Sequence, residues 1–120
     1  MIRVEVRIEK YLIYADILET GNDLVIIIGG GESHIGAVGI SFPTVSINTG
    51  ENTVTTSVVT LPSHKEDIVA KNISEKVAKI LNKKIVVIAG IHFDNLSKDD
   101  IDRILKGCDE LADKIIEKFK

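Results

Sequence analysis

The stretch Ile85-Val86-Val87-Ile88-Ala89-Gly90 decides the fold, because it is a short, strongly apolar run with an amphipathic helix pattern on either side. Five consecutive apolar residues closed by a glycine are typical of a central strand that helices cover on at least one side. Apolar residues recur at helical spacing over residues 65–83 and again over residues 101–119. The second half of the chain therefore predicts a helix–strand–helix unit. Capping-box patterns mark both helix starts, Ser63 with Glu66 and Ser97 with Asp100.

The first half of the chain carries strand patterns instead. Residues 2–9 alternate aliphatic with charged side chains, which predicts a strand with one exposed face. Residues 24–28 form an unbroken aliphatic run, which we expect to be covered on both faces. Further strands are predicted over residues 11–18, 35–42 and 54–61, with Pro43 ending the fourth strand and a mobile loop over residues 44–53.

These patterns predict an α+β fold. We expect a mainly antiparallel sheet of five to six strands with a C-terminal helix–strand–helix, in a single domain that covers residues 1–120. A chain of 120 residues with 44% hydrophobic residues has enough apolar mass for one core without a metal or a disulfide.

Composition excludes several classes of function. The formal charge of −3 comes from acidic and basic residues mixed along the chain, so no sustained basic surface predicts nucleic-acid binding. A single cysteine excludes an internal disulfide and fits a reducing compartment. No apolar run approaches membrane-spanning length, and the first residues do not resemble a secretory leader. We therefore expect a soluble, cytoplasmic protein with neither a nucleic-acid nor a membrane partner.

All three histidines, His34, His64 and His92, occur where a strand meets a loop. If the strand after His34 runs antiparallel to the strand at residues 54–61, then His34 lies near His64. A right-handed crossover through the first helix makes the strands at residues 54–61 and 85–89 parallel, which puts His64 and His92 on the same edge. We therefore expect one rim of the sheet to collect all three imidazoles, at the carboxyl ends of strands where open α/β sheets place ligands.

The same rim suits an anion. It includes the start of the first helix, whose free N–H groups and dipole favour phosphate or carboxylate. Protonated imidazoles bind an anion and neutral imidazoles bind a metal, and the sequence leaves both open. The other residues predicted at this rim are Gly29, Gly30, Gly31, Ser33, Ser63, Asp94 and Asn95.

Several of these features also have a purely structural explanation, which competes with the functional interpretation. Gly29-Gly30-Gly31 lacks the glycine spacing of a phosphate-binding loop and no helix follows it, so a plain turn explains it equally well. Cys108 lies on the apolar stripe of the last helix, which predicts a buried, inert thiol. Asp99 and Asp100 are explained by the helix dipole. No H-x-H or HExxH spacing supports a metal, and no activated nucleophile supports a catalytic residue.

Three segments together resemble the LpdD-like family. They are residues 30–38 (GGESHIGAV), residues 61–67 (LPSHKED) and residues 89–95 (AGIHFDN), and the likeness covers most of the chain from Leu24 onward. This family consists of small prenylated-flavin chaperones associated with gallate-type decarboxylases of the UbiD class, with a fold similar to that of proteasome assembly chaperones. The matching positions are His34, Gly36, His64, Lys65, His92, Asp94 and Asn95.

The resemblance implies a non-catalytic helper that delivers or retains prenylated FMN, or FMN, or that assists maturation of a UbiD-type decarboxylase. The FMN phosphate then suits the rim inferred above. Two alternatives stay open. One is a small metal-dependent enzyme with His34, His64 and His92 as ligands. The other is a protein-binding module that dimerises through an exposed strand at residues 2–8. A homo-oligomer is expected in any case, because a small sheet with an exposed edge commonly finds a symmetric partner.

Overall fold

The computed structural model describes residues 1–61 and 66–120. Its elements in chain order are β1 (Ile2–Ile8), β2 (Tyr11–Thr20), β3 (Asp23–Gly31), β4 (Ala37–Val45), β5 (Asn52–Thr60), α1 (Glu66–Leu81), β6 (Ile85–His92) and α2 (Lys98–Phe119).

Six strands form one mixed sheet in the order β1-β2-β3-β6-β4-β5. The pair β3–β6 at its centre is parallel, and the other four neighbouring pairs are antiparallel. The predicted α+β class and the mainly antiparallel sheet are therefore confirmed, with one parallel pair added. The apolar composition of residues 85–90 predicted a central strand, and β6 indeed lies inside the sheet, third from one edge.

The connection from β5 through α1 to β6 differs in one respect from the expected crossover. Strands β5 and β6 run in the same direction, because both are antiparallel to β4. They are not neighbours, however, because β4 is inserted between them. The carboxyl ends of β5 and β6 still lie at the same edge of the sheet, although one strand apart.

Both helices pack on one face of the sheet, where α1 contacts β4, β5 and β6 and α2 contacts β1 and β2. Alternate residues of each inner strand point toward the helices and are fully buried, such as Ile13, Ile26 and Val87. Burying a side chain of this size contributes roughly 1.5–3 kcal/mol. This covered face therefore holds the hydrophobic core.

The opposite face of the sheet carries no helix in the described part of the chain, and we call it the open face. The expectation that residues 24–28 are covered on both faces is thus wrong within the chain, since Ile26 is buried whereas Ile27 is 37% exposed. The aliphatic residues of the open face on its inner strands are Leu12, Leu18, Val25, Ile27, Val38, Ile40, Val86 and Ile88.

The β4–β5 connection is shorter than predicted. Strand β4 continues through Pro43 to Val45, and β5 begins at Asn52, so residues 46–51 form a hairpin turn. The prediction that Pro43 ends the strand is wrong, because β4 stays paired with β5 through Val45. The β4–β6 ladder ends at Ser41, so β4 has no neighbour on that side at Pro43. Proline is tolerated where a strand is an edge, since its missing N–H breaks no ladder bond there.

The helix starts were predicted from capping signals. Ser97 accepts a hydrogen bond from the Asp100 backbone N–H, and the Asp100 carboxylate accepts one from the Ser97 N–H, so the second capping box is confirmed. The first box includes Ser63, which lies outside the described residues. On α2, Cys108 is buried as predicted, and burial raises the pKa of its thiol to about 12.

Candidate functional site

The parallel strands β3 and β6 end side by side, with Gly31 paired to His92. The chain then passes from β3 through residues 32–36 and enters β4, whose first residue Ala37 pairs with Ala89 of β6. This path carries His34 across the end of β6. The rings of His34 and His92 consequently meet edge to face, with their centroids 6.3 Å apart.

His34 is held by carboxylate and carbonyl oxygens. Its Nε2 lies 3.1 Å from Oε1 of Glu66, and its Nδ1 lies 3.2 Å from the carbonyl oxygen of Glu32. Glu66 stands in the first turn of α1 and is only 8% exposed. Both ring nitrogens of His34 therefore contact oxygen atoms of the chain itself. These two contacts fix the orientation of the His34 ring.

His92 has a looser environment. Its Nε2 lies 3.2 Å from Oδ1 of Asp94, and both side chains are at least half exposed. Exposed ion pairs contribute only about 0–1 kcal/mol, so this contact is easily replaced by another partner of His92.

The two histidines border an open cleft of about 320 Å³, lined by Glu32, Ser33, His34 and His92. We call it the histidine cleft. The hydroxyl of Ser33 lies 2.7 Å from that of Tyr14, whose side chain stands on the open face. The cleft thus offers imidazole and hydroxyl donors, and its border continues into apolar surface through the Tyr14 ring.

Gly90 makes this arrangement possible. A side chain at Gly90 would collide with the carbonyl oxygen of His34, so only glycine lets residues 32–36 cross β6 so closely. Gly36 has a related role, because a Cβ there would lie 2.7 Å from the Glu66 carboxyl group. Both glycines therefore keep the His34–Glu66 contact in place.

The predicted site residues divide into four groups. Gly31, Ser33, His34, His92 and Asp94 lie together at the end of β3 and β6, beside Gly36. Gly30 belongs to β3 and faces the covered side, where a Cβ would meet Ile13 and Phe93. Asn95 is exposed in the turn after Asp94, with φ of 59°. Ser63, His64 and Lys65 lie outside the described residues, so the expected third imidazole is not placed.

The glycine triplet is not the plain turn that was considered. All three residues extend β3, and only Gly31 has a positive φ, of 64°. Gly29 lies on the open face beneath the Tyr14 ring. The triplet therefore creates room for Tyr14 and for the chain's departure toward His34.

Three contributors to the cleft were missed in the sequence. Glu66 was explained as part of a capping box, Glu32 was quoted only within the segment GGESHIGAV and given no role, and Tyr14 belonged to no motif. The available signal was the period of β2, which puts Tyr14 on the outer side opposite Gly29.

Metal and anion chemistry make different demands on this site. Within residues 1–61 and 66–120, no three histidine, cysteine, aspartate or glutamate side chains are arranged to hold a metal ion. The three-histidine metal site needs His64 and so stays a prediction. For an anion, the first turn of α1 already carries Glu66 and Asp67. Attraction of a phosphate therefore depends on the imidazoles more than on the helix dipole.

No helix in the described ranges combines the length and the apolar character that crossing a membrane requires.

Comparisons with known proteins identify the fold and the family. A crystal structure titled as a novel chaperone complex for yeast 20S proteasome assembly matches with a TM-score of 0.50 and 12% identity, over 93% of this chain and 99% of that one. At this identity the match shows the shared fold alone. No curated protein matches the sequence significantly. The sequence model of the prenylated flavin chaperone LpdD-like domain matches residues 7–120. This chain therefore belongs to the LpdD-like family of prenylated flavin chaperones.

Proposed function

We propose that this protein is a non-catalytic cytoplasmic accessory protein that binds prenylated FMN, or FMN, at the histidine cleft and supplies it to a UbiD-type decarboxylase. The observation that carries the proposal is the meeting of His34 and His92 at the shared end of β3 and β6. Membership of the prenylated flavin chaperone family supports the choice of ligand.

The donors of the cleft fit a phosphate monoester. His34 is oriented by Glu66, and Ser33 adds a hydroxyl group next to it. His92 is tied only to the exposed carboxylate of Asp94, so a phosphate can replace that carboxylate as its partner at small cost. The resulting contacts are charge-assisted hydrogen bonds, which are the stronger kind.

The remaining surface fits the ring system of a flavin. A flavin is amphipathic, with a phosphate at one end and a planar, largely apolar ring at the other. Tyr14 joins the polar cleft to the aliphatic open face, so polar and apolar surfaces adjoin as such a ligand requires. Gly36, His64, Lys65 and Asn95, carried over from the family pattern, complete the proposed binding set. When bound, prenylated FMN supplies the chemistry of the recipient decarboxylase, and this chain holds and releases it.

Titration of the purified protein with FMN and with prenylated FMN tests the proposal, by calorimetry or by flavin fluorescence. Losing a hydrogen bond to a charged group costs about 1.5–3 kcal/mol, so His92→Ala should weaken binding roughly 10- to 150-fold. Both ring nitrogens of His34 contact the chain itself, so His34→Ala should weaken binding by a smaller factor, through loss of the ring that packs edge to face against His92. Lys79→Ala, in the last turn of α1, is the control and should leave the affinity unchanged.

Two results would refute the proposal. One is the absence of any signal with both flavins. The other is binding by His34→Ala and His92→Ala with the affinity of the unmodified protein.

A further inference from the structure

We infer that the outer edge of β5 receives an extended segment of the recipient enzyme, which pairs with β5 as one more strand of the sheet. The identity of that enzyme rests on the proposed function, whereas the mode of binding follows from the backbone of β5. Strand β5 is the last in the sheet order, and within residues 1–61 and 66–120 no strand pairs with its outer side.

The hydrogen bonds of the β4–β5 hairpin show which backbone groups of β5 point outward. Beyond the two ends of the ladder, the Leu61 N–H donates to the Gly36 carbonyl oxygen and the Ser46 N–H donates to the Glu51 carbonyl oxygen, both at 2.9 Å. Both pairs continue the register of the ladder, in which hydrogen-bonded pairs alternate with pairs that form no hydrogen bonds. The odd-numbered residues of β5 therefore bond to β4. The even-numbered residues direct their N–H and C=O groups outward, and they are Asn52, Val54, Thr56, Val58 and Thr60.

These outward groups form a long row of donors and acceptors. Pro43 agrees with their assignment, because it faces Val54 in a pair without hydrogen bonds and has no N–H to donate. Strand β5 has nine residues, which span about 30 Å at roughly 3.4 Å per residue. The row is therefore long enough to hold a complete additional strand.

The opposite edge of the sheet, at β1, is less suited to such pairing. Strand β1 carries the charged residues Arg3, Glu5 and Arg7, and charged side chains on an edge strand discourage the addition of another strand. The Lys114 ammonium group of α2 also donates a hydrogen bond of 2.8 Å to the Glu5 carbonyl oxygen, so α2 already covers part of this edge. Strand β5, in contrast, contains neither a charged residue nor a proline. Its edge is therefore the more accessible one.

The side chains of β5 define the kind of segment that fits. From Thr53 to Val59 they are threonine, serine and valine only. Side chains directly opposite each other on paired strands interact, and β-branched residues pack well on a pleated surface. An uncharged segment rich in β-branched residues is therefore the best match. Main-chain hydrogen bonds supply the affinity in this mode of recognition, and the neighbouring side chains supply the selectivity.

The position of the edge favours the recipient enzyme over a second copy of this chain. Leu61, directly after β5, donates to Gly36, which lies two residues after His34 of the histidine cleft. Strands β5 and β6 end at the same edge of the sheet with β4 between them, so their ends are roughly 10 Å apart. A segment paired with β5 thus ends beside the cleft, where a flavin acceptor is needed. A second copy carries the same charge of −3 and needs no flavin.

Two variants at one position test this pairing, with a purified UbiD-type decarboxylase that lacks its flavin as the partner. Val58→Pro removes an outward N–H and leaves the hydrogen bonds to β4 intact, whereas Val58→Thr keeps that N–H and serves as the control. Calorimetry should show that Val58→Thr binds the decarboxylase like the unmodified protein. Val58→Pro should bind about tenfold or more weakly, because the added strand makes β5 an inner strand, where proline breaks the ladder. Both variants should bind FMN with unchanged affinity, which separates this inference from the proposed flavin binding.

Amide hydrogen exchange, followed by NMR for each residue, tests the same edge without a substitution. In the isolated protein the amides of Val54, Thr56 and Val58 should exchange rapidly, whereas those of Thr55 and Ser57 should exchange slowly because they bond to β4. Addition of the flavin-free decarboxylase should slow the exchange of the first three amides.

Three results would overturn the inference. They are the absence of a complex between the unmodified protein and the flavin-free decarboxylase, equal binding by Val58→Pro and Val58→Thr, and slow exchange of the Val54, Thr56 and Val58 amides in the isolated protein. The last result would show that a second copy or the chain itself covers the edge. If circular dichroism shows that Val58→Pro is unfolded, the exchange experiment decides, and exchange that the decarboxylase leaves unchanged would overturn the inference. Slowed exchange in a protein that fails to bind FMN would support the inference and contradict the proposed flavin binding.

Discussion

The two faces of this sheet are built from the same run of aliphatic residues and have opposite environments. Ile26 and Ile27 are neighbours of the same type in β3, yet Ile26 is completely buried under the helices and Ile27 is 37% exposed. An aliphatic run thus indicates that a strand is central, but it does not indicate whether the cover on each face comes from the same chain. The comparison can be tested by changing one residue on each face.

The largest difference in the free energy of unfolding is expected between the variants Ile26→Ala and Ile27→Ala. Removing a fully buried isoleucine side chain leaves a cavity and costs about 2–5 kcal/mol in the free energy of unfolding. The exposed Ile27 loses much less transfer free energy, so Ile27→Ala should cost below about 1 kcal/mol. Urea denaturation at a concentration where the chain is monomeric measures both. Equal losses would show that the open face is covered within the chain.

A smaller difference in stability is expected between two variants that each remove a hydroxyl group, one from the covered face and one from the open face. Ser41 is completely buried, and its Oγ lies 2.8 Å from Oγ1 of Thr56 and 2.8 Å from Oγ of Ser74. Ser41→Ala therefore removes a hydrogen-bond partner from each. Ser74 keeps the carbonyl oxygen of Lys71 as a partner, so the cost is that of two lost hydrogen bonds, about 0.5–1.5 kcal/mol each. On the open face, Thr55 shares an exposed hydrogen bond with Thr44, and Thr55→Ala should change stability by less than about 0.5 kcal/mol. Chemical denaturation of the two variants, compared with the parent, would contradict the expectation if Thr55→Ala proved the more damaging.

The smallest effect concerns acid stability of the open face. Hydrogen bonds from Arg3 hold the pKa of Asp16 below its ordinary value of 3.8. Because the folded-state pKa is the lower one, the stabilisation is complete above about pH 4 and is lost as the pH falls through the folded-state pKa. The pair is partly exposed, so the loss should stay below about 1 kcal/mol.

Acid titration of unfolding should therefore show a shallower slope below pH 4 in Asp16→Asn than in the parent. Glu51→Gln, in the β4–β5 turn, removes a carboxylate elsewhere and serves as the control. An unchanged slope in Asp16→Asn would show that Arg3 does not stabilise the charged form of Asp16.

Much of the fold follows from periodicity. The helices, and the strands with alternating or aliphatic runs, were predicted because those patterns fix which side of each element is buried. The hairpin of β4 and β5 was predicted less well, because residues 44–53 are polar and contain Pro43, while their pairing comes from register with the partner strand. The insertion of β4 between β5 and β6 was not predicted, since neighbours in a sheet are chosen by tertiary packing and not by local pattern.

The candidate site was predicted in outline. His34 and His92 were expected at one edge because strand direction alone brings them there, and direction was inferred correctly. The partner of His34 was missed because Glu66, three residues after Ser63, also satisfies the capping pattern. The contribution of Tyr14 depends on the register of β2 with β3, which no local pattern specifies.

The central parallel pair also constrains the order in which the molecule can form. Strands β3 and β6 come from opposite halves of the chain, and five strands are synthesised before either helix. On a ribosome, the meander β1–β2–β3 therefore emerges with aliphatic side chains on both sides and an unpaired edge at β3. Pairing between distant segments is slow and leaves such edges available to other chains. A protein assigned to a family of chaperones thus passes through a nascent stage in which it is itself prone to aggregation.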